Sequence, residues 1–595
     1  MPHRGEAPAP RRDYHGRMIG IRAGVLLCWV VALGFAAGCK KRPAEEERTP
    51  STAAGQGGSA ASSDEPPLEL ILSYGSEKKT WLEAELARWN DAKPRLADGR
   101  LVRAVGKPMG SGEGVTAILS GTADAKALPH VFSPASGAYL TLLNEAWQSR
   151  PGNLRPIAQG SEPLVLSPLV IAIWKPMAQA LGWPDKALGW GDLLKVARDP
   201  KGWESFGRPE WGAFKLGHTS PEFSTSGLLS VLAIAAAAHA TDGPAARLST
   251  EALADPKTKA YLTAVEDSVV HYGKSTGFFA DKMLERGPSY LSAAVLYENL
   301  VIESYGRATP PELPLVAMYP EEGTFWADHP FAILDAPWVT PQHREAGAKL
   351  QKFLRERPQQ ERAVALGFRA ADPAIPISAP IDEAHGADPK QPQNLLEVPD
   401  APALRALIEL WRTTKKASDV VLVFDKSGSM RGQPLTEAKQ GAKAFLASLD
   451  PRDRVTLLFF DGRVYPPLGP LEVGPYLADL ESRIDGVTAS GGTALYDAVD
   501  QGTKLLQKNA KKSSHRIRAV VAMTDGIDEN SSLQLEVLKK HLAAEDSRVA
   551  VFTVAYGETA DQTVLTALAE AAHGGFARGD VSSIIGVFRD LAAYF

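Results

Sequence analysis

Cysteine is almost missing from this chain: 595 residues hold two, Cys28 and Cys39, and none follows. Everything downstream must therefore fold without a disulfide framework. Long apolar runs are equally scarce, and the most hydrophobic stretch, Ala23 to Ala37, falls short of the ~20 residues that span a bilayer. Neither sign of charge dominates. The chain carries 65 Lys and Arg against 70 Asp and Glu, and from Ser418 onward 19 against 23, with no basic stripe. Such a balance argues against nucleic acid as a partner. Familiar catalytic spacings are absent too: there is no GxSxG elbow, no HExxH and no phosphate-binding GxxxxGK followed by Ser or Thr. The Gly-rich loop GSGEGV from Gly110 fails the dinucleotide fingerprint at Val115.

What is present begins with an address. Arg17 and Arg22 precede the short apolar run, and FAAGC closes it at Cys39, which gives signal-peptide flanks to a segment too short for a span. It resembles a bacterial lipoprotein signal with Ala36, Ala37 and Gly38 ahead of a lipidated Cys39, whether translation starts at Met1 or Met18. That resemblance implies a signal peptide over residues 1–38, a mature protein without disulfides, and a lipid-anchored cell-envelope location on the periplasmic face or cell surface. Residues 39–66, rich in Pro, Gly, Ser, Ala and clustered Glu, cannot bury a core and read as a disordered tether. As a flexible coil it spans on the order of 30 Å.

The most chemically informative stretch is VVLVFDKSGSM, Val420 to Met430. A buried-strand pattern ends in Asp425, Ser427 and Ser429, and alternate residues of an extended backbone point the same way, so a carboxylate and two hydroxyls can converge on one cation. Ser490 to Asp497, SGGTALYD, puts Thr493 at a helix start, and AVVAMTDG ends a second apolar strand in Asp525. Loops at the carboxyl ends of parallel strands form the ligand crevice of open sheets. All five donors are hard oxygens, suited to magnesium rather than zinc.

These three pieces, in this order, resemble the metal-ion-dependent adhesion site of the von Willebrand factor type A (VWA) family. The likeness covers 418–595. It implies a doubly wound parallel-sheet (Rossmann-like) α/β domain, Mg²⁺ (or Mn²⁺ or Ca²⁺) held by Asp425, Ser427, Ser429, Thr493 and Asp525, and an open coordination position for an acidic side chain of a protein partner. Periodicity agrees, with strands expected over Arg454–Phe460, Arg518–Met523 and Arg548–Ala555 and helices over Leu435–Leu449, Thr493–Leu506 and Leu533–Ala543. His515 and His573 read as surface or packing residues.

Upstream, three strand ends open into helices through Ser, Thr and Gly: from Gly110, from His130 to Ser136, and from Phe214 through Thr219, Ser220, Ser224 and Ser226. Each alone is ordinary N-capping. Converging on one cleft, such termini would bind an anion or polar solute. SEPLVLSPLVIAIWKPMAQALG from Ser161 resembles the lobe crossover of bacterial periplasmic solute-binding proteins, as do Ala294–Glu298, Leu313–Pro320 and Val364–Arg369. The resemblance implies a bilobal (type II) module over 67–400 whose cleft residues are Ser111, Gly112, Ser133, Ser136, Thr219, Ser220, Tyr297 and Tyr319. Glu298 reads as structural, and Trp190, Trp203 and Trp211 as core or loop aromatics. A helix over 401–417, with Leu404, Leu407, Ile408 and Trp411 on one side, packs between the modules and makes lobe closure and metal-site geometry mechanically related.

The reading is a nonenzymatic, lipid-anchored binding protein: a metal-dependent grip on a protein partner, and a cleft for a small solute or anion. Solute capture for an ABC-type transport system, with the VWA domain as an accessory clamp, is the alternative. A metal-dependent hydrolase ranks last, because no base or nucleophile accompanies the donors.

Overall fold

The computed structural model describes residues 66–595 apart from 122–127, 160, 241–247, 310, 511–515, 545–548, 558, 580–583 and 593. They belong to one compact unit, Ala60–Phe595. The signal peptide, Cys39, nearly all of the tether, and His515 lie outside the described residues.

The first lobe is built from β1 (Leu68–Gly75), α1 (Lys79–Asp91), β2 (Val102–Met109), α2 (Ser111–Ser120), β3 (Val131–Ser133), α3 (Gly137–Gln148) and β4 (Glu162–Pro163). The chain then enters the second lobe: β5 (Val165–Trp174), α4 (Lys175–Ala180), α5 (Trp190–Arg198), β6 (Leu216–Thr219), α6 (Thr225–Ala237), α7 (Thr250–Ala254) and α8 (Pro256–Glu266). That lobe continues through β7 (Val269–Gly273), α9 (Thr276–Arg286), β8 (Ala293–Tyr297), α10 (Glu298–Ser304), β9 (Leu315–Met318) and β10 (Trp326–Ala327). A return crossing supplies β11 (Pro330–Ile333), α11 (Pro341–Leu354) and α12 (Arg357–Ala365) to the first lobe, and β12 (Arg369–Ala370) pairs with β5.

Strand orders are β2-β1-β3-β11-β4 in one sheet and β10-β5-β8-β6-β7 in the other, with β9 and β12 on β5. Each lobe thus has its own sheet, and the chain crosses between them on either side of Leu164, again at His329 and a third time between α12 and β12. His329 ties the crossings together, its N–H donating to the Ala135 carbonyl at 3.0 Å and its own carbonyl accepting from Leu164 N at 3.1 Å. Apolar residues surround α6 on every side, and all thirteen are buried, as a helix hydrophobic all round must be.

Helix α13 (Ala401–Thr414) starts at Asp400, whose side chain accepts from Ala403 N. It buries Ala403, Leu404, Leu407 and Trp411, whereas Ile408 is only partly covered. Beyond it come β13 (Ser418–Asp425), α14 (Gln433–Ser448), β14 (Arg454–Phe460), β15 (Leu468–Glu472), α15 (Val473–Asp485), α16 (Leu495–Ala510), β16 (Ile517–Thr524), α17 (Leu535–Leu542), β17 (Ala550–Tyr556), α18 (Gln562–Ala571), β18 (Phe576–Gly579) and α19 (Ile584–Ala592). Their sheet runs β15-β14-β13-β16-β17-β18 and is parallel except for the edge strand β15. β13 and β16 are buried along their whole lengths, which explains their unbroken apolar runs. The second lobe, α13 and one face of this sheet share a continuous apolar core.

The first lobe holds an acid-sensitive pair. His130 and His343 stack with ring centroids 3.7 Å apart, and His130 Nδ1 accepts from Ile71 N at 2.9 Å. Burial, with His343 and Lys107 beside it, pulls His130 from 6.5 to about 4. The unfolded chain therefore takes up this proton before the fold does, so the stability is complete above about pH 6.5 and is lost as pH falls toward 4. Urea unfolding at pH 7 and pH 4.5 checks this: the midpoint drops at the lower pH, and His130→Asn, which keeps an acceptor for Ile71, shrinks the drop.

Candidate metal centre and interlobe cleft

β13 ends at Asp425, and its register against β16 sets Phe424 beside Met523, so Thr524 and Asp525 follow at the same edge. The Asp425 carboxylate accepts from Ser427 N at 2.7 Å and from the Thr524 hydroxyl at 2.5 Å. Ser427 Oγ lies 3.0 Å from Ser429 Oγ, which donates to Asp525 Oδ1 at 2.7 Å. Thr493 comes from the far side. A Cβ added at Gly526 would sit 3.2 Å from Thr493 Oγ1 and 3.8 Å from Ser429 Oγ, so a side chain there would crowd both hydroxyls. The loop carrying Thr493 is held by Asn530, whose Oδ1 accepts Thr493 N at 2.9 Å, and by Gly491, whose φ of 77° suits glycine and whose carbonyl takes Gly428 N at 2.8 Å.

The structure therefore brings Asp425, Ser427, Ser429, Thr493 and Asp525 into one cluster. Thr524 and Asn530 escaped the sequence reading, although the TDG spacing already placed Thr524 beside a ligand. Burial pushes the Asp425 carboxyl up to about 6, against hydrogen bonds from Thr524 and Ser427, and burial raises Asp525 as well. No Lys, Arg or His among the described residues pairs with either; the neighbouring Lys426 is taken by Asp461. Two buried carboxylates and three hydroxyls without a counter-charge fit a hard divalent cation.

The predicted cleft residues meet differently. Ser111 Oγ accepts from Thr225 across the lobes at 2.8 Å and from Ala135 N at 3.3 Å. Gly112 N donates to the Phe223 carbonyl at 2.9 Å, and a Cβ there would sit 1.9 Å from Glu222 O. Only glycine permits that approach. Tyr139 donates to Pro221 O at 2.6 Å, Lys274 pairs with Glu113 at 2.8 Å, and Gly277 N donates to Ser76 Oγ at 3.0 Å. The lobes are thus closed directly on one another.

Thr219 joins a buried hydroxyl cluster, 2.7 Å from Ser226 Oγ, which is 2.8 Å from Thr276 Oγ1, itself 3.1 Å from Ser224 Oγ. Thr276 belongs to KSTG at the start of α9, the same hydroxyl and Gly signature as the other loops, missed because His271 interrupts the apolar run of the short strand β7. Ser136 caps α3 and Ser220 accepts from Glu222 N. Ser133 Oγ and Tyr297 Oη are buried without a partner, as is His329 Nε2. Tyr297 and His329 rings lie 5.7 Å apart. Glu77, 3.4 Å from His329, is also buried. Burial alone would raise its carboxyl, but Lys78 and His329 outweigh that and hold it at about 2.

Two helix starts read as anion sites are already filled. The Asp328 carboxylate accepts Gly137 N at 2.9 Å at the start of α3, and Glu113 caps Gly110 N at 3.3 Å before α2. The protein's own carboxylates take backbone donors at these two starts, whereas hydroxyls line the starts of α6 and α9. Tyr319 sits in a different network: it donates to Glu298, which forms two bonds to Arg369 at 2.7 and 2.9 Å. Glu298 is accordingly structural. Trp190 and Trp203 are core residues, Trp211 is half-buried, and His573 is exposed.

Residues 72–369 match the family model of the bacterial extracellular solute-binding proteins, and residues 419–584 match the von Willebrand factor type A domain. The chain belongs to the bacterial extracellular solute-binding protein family and carries a VWA domain after that module. An uncharacterized protein of Synechocystis sp. is 34% identical over 157 residues, which are 26% of this chain and 36% of that protein; the match thus spans about a third of that relative. Among solved structures, a periplasmic thiamin binding protein is 12% identical with a TM-score of 0.41, covering 60% of this chain and 98% of that one. A von Willebrand factor type A protein from Catenulispora acidiphila is 20% identical with a TM-score of 0.26, covering 30% and 42%. Both kinds of domain are typically binding modules without catalysis, the solute-binding family suggests a periplasmic or envelope location, and VWA domains commonly hold a divalent metal. Among the described residues no helix is long and apolar enough to cross a membrane.

Glu298 is fully buried, so Arg369→Leu strands a charge. Removing one partner of a buried pair costs about 3–5 kcal/mol, and urea denaturation of the variant at pH 7 should show a loss of that size.

Proposed function

We propose that this protein is a lipid-anchored, nonenzymatic binding protein of the cell envelope, anchored through Cys39, whose VWA domain grips a protein partner through a divalent cation. Mg²⁺ is the favoured ion, with Mn²⁺ or Ca²⁺ able to substitute. The observation that carries this reading is the convergence of Asp425, Ser427, Ser429, Thr493 and Asp525 with no Lys, Arg or His among the described residues to balance the two carboxylates. Ser427, Ser429 and Thr493 would hold the ion through hydroxyls. Both oxygens of Asp425 already accept hydrogen bonds, which suits binding through water. When bound, the cation supplies a Lewis-acidic position for a partner's Glu or Asp carboxylate. The bilobal domain, assigned to residues 67–400 with 401–417 as connector and 418–595 as VWA domain, takes a small polar solute or anion between its lobes. The hydroxyls near the starts of α6 and α9 support that role. Service to an ABC-type transporter remains the second reading, favoured by the solute-binding fold alone.

Thermal unfolding of the purified protein tests the metal arm. A ligand at a hundredfold excess over its Kd stabilises by about 2.7 kcal/mol, so Mg²⁺ should raise the metal-domain transition by several degrees over EDTA, and Asp425→Ala should remove the rise. No response of the unsubstituted protein to Mg²⁺, Mn²⁺ or Ca²⁺ overturns the reading. In calorimetric titration Thr524→Val should bind Mg²⁺ roughly tenfold more weakly, the loss of one hydrogen bond to a charged group, and Thr524→Ser should recover the affinity. A panel of small anions, sugars and amino acids in the same thermal assay identifies the cleft's ligand class.

A further inference from the structure

Helix α13 touches both lobes as well as the VWA domain. Its apolar side packs mostly on α6, α7 and α8 of the second lobe and also meets α3 of the first: Leu404 and Leu407 are wholly buried, and Trp411 meets Tyr272 edge to face with centroids 5.2 Å apart. Its end is tied to the VWA domain, Arg452 donating to Thr413 O at 3.0 Å and Lys415 to Phe595 O at 2.9 Å. Second lobe, α13 and VWA domain therefore share one apolar core, which the first lobe joins through Ala135, Ala138 and Tyr139. One ion pair ties the strap directly to the first lobe, Arg405 to Glu145 on α3, and a second tie, Arg412 to Glu222 at 2.7 Å, holds a second-lobe loop that the first lobe rests on. Glu222 lies in the second-lobe loop whose next carbonyl, Phe223 O, accepts Gly112 N from the first lobe at 2.9 Å.

We propose that α13 is a strap that latches the first lobe shut against the second: opening the cleft must break the Arg405–Glu145 pair and pull Gly112 off the loop that Arg412 holds. The proposal goes beyond the metal reading and does not depend on it. Chemistry suits a latch. Arg405 and Glu145 are 54% and 29% exposed, and an ion pair so open to water contributes at most ~1 kcal/mol. That is enough to bias an equilibrium between closed and open lobes and too little to prevent opening. The core that holds the strap is mostly second-lobe and VWA residues, with Ala135, Ala138 and Tyr139 from the first lobe, so the first lobe is the part that swings, relative to a VWA domain fixed to the strap.

The amides of Gly112 and Gly277 report opening, because each donates to the opposite lobe. Hydrogen–deuterium exchange on the full chain is the test. Arg405→Glu, which sets two carboxylates against each other, should speed exchange of the peptides containing Gly112 and Gly277 by roughly fivefold, the equivalent of ~1 kcal/mol. Peptides from β1 and β13 should keep their rates. Adding Glu145→Arg to that variant should restore slow exchange. Unchanged rates in Arg405→Glu overturn the latch, as does an acceleration that the charge swap fails to reverse. Equal acceleration in β1 and β13 also overturns it, since that pattern is general loosening.

Discussion

Everything at the candidate metal centre depends on one register. β13 lies between β14 and β16, parallel to both, with Asp425 opposite Phe460 and Phe424 opposite Met523. Three strands consequently end at the same level, and the loops that leave them are forced together. Because β13 and β16 are buried on both faces, neither can slide without carrying apolar side chains out of the core. The oxygen cluster is thus positioned by hydrophobic packing some distance away, and its own hydrogen bonds only refine it. Burial also creates the electrostatic deficit, since both aspartates sit where ionisation is costly without a counter-charge.

The bilobal module follows a different constraint. Its lobes meet through backbone carbonyls packed against glycines, and the buried hydroxyls of the second lobe mostly bond one another. Ser275 and Tyr297 are exceptions, and Ser133 Oγ and His329 Nε2 also lack partners, with His329 beside the buried Glu77 and Lys78. α13 connects the two constraints, because the helix that lies along the closed lobes runs within four residues of its last turn into the strand that ends at Asp425.

Much of this was legible in the sequence, for identifiable reasons. Continuous apolar strands ending in Asp425 and Asp525 announce a parallel sheet, and the alternation of DxSxS places three donors without further information. The β15 and α15 segment was not legible: β15 is an exposed antiparallel edge containing Gly469 and Pro470, which read as a loop. Charge partners were the other blind spot. Glu77 and Lys78 in GSEKK look like a solvated turn, and nothing local shows that His329, some 250 positions away, buries them. Likewise the Ser and Gly helix starts were visible, but not the Asp328 and Glu113 carboxylates that occupy two of them.

The oxygens of Asp425, Ser427, Ser429, Thr493 and Asp525 converge where a cation would be held. The most direct measurement is an anomalous difference map from crystals of the protein grown with Mn²⁺. A single strong peak is expected within bonding distance of Ser427 Oγ, Ser429 Oγ and Thr493 Oγ1, with Asp425 and Asp525 around it directly or through water. A map with no peak among these residues, at Mn²⁺ concentrations that saturate ordinary carboxylate sites, would contradict it.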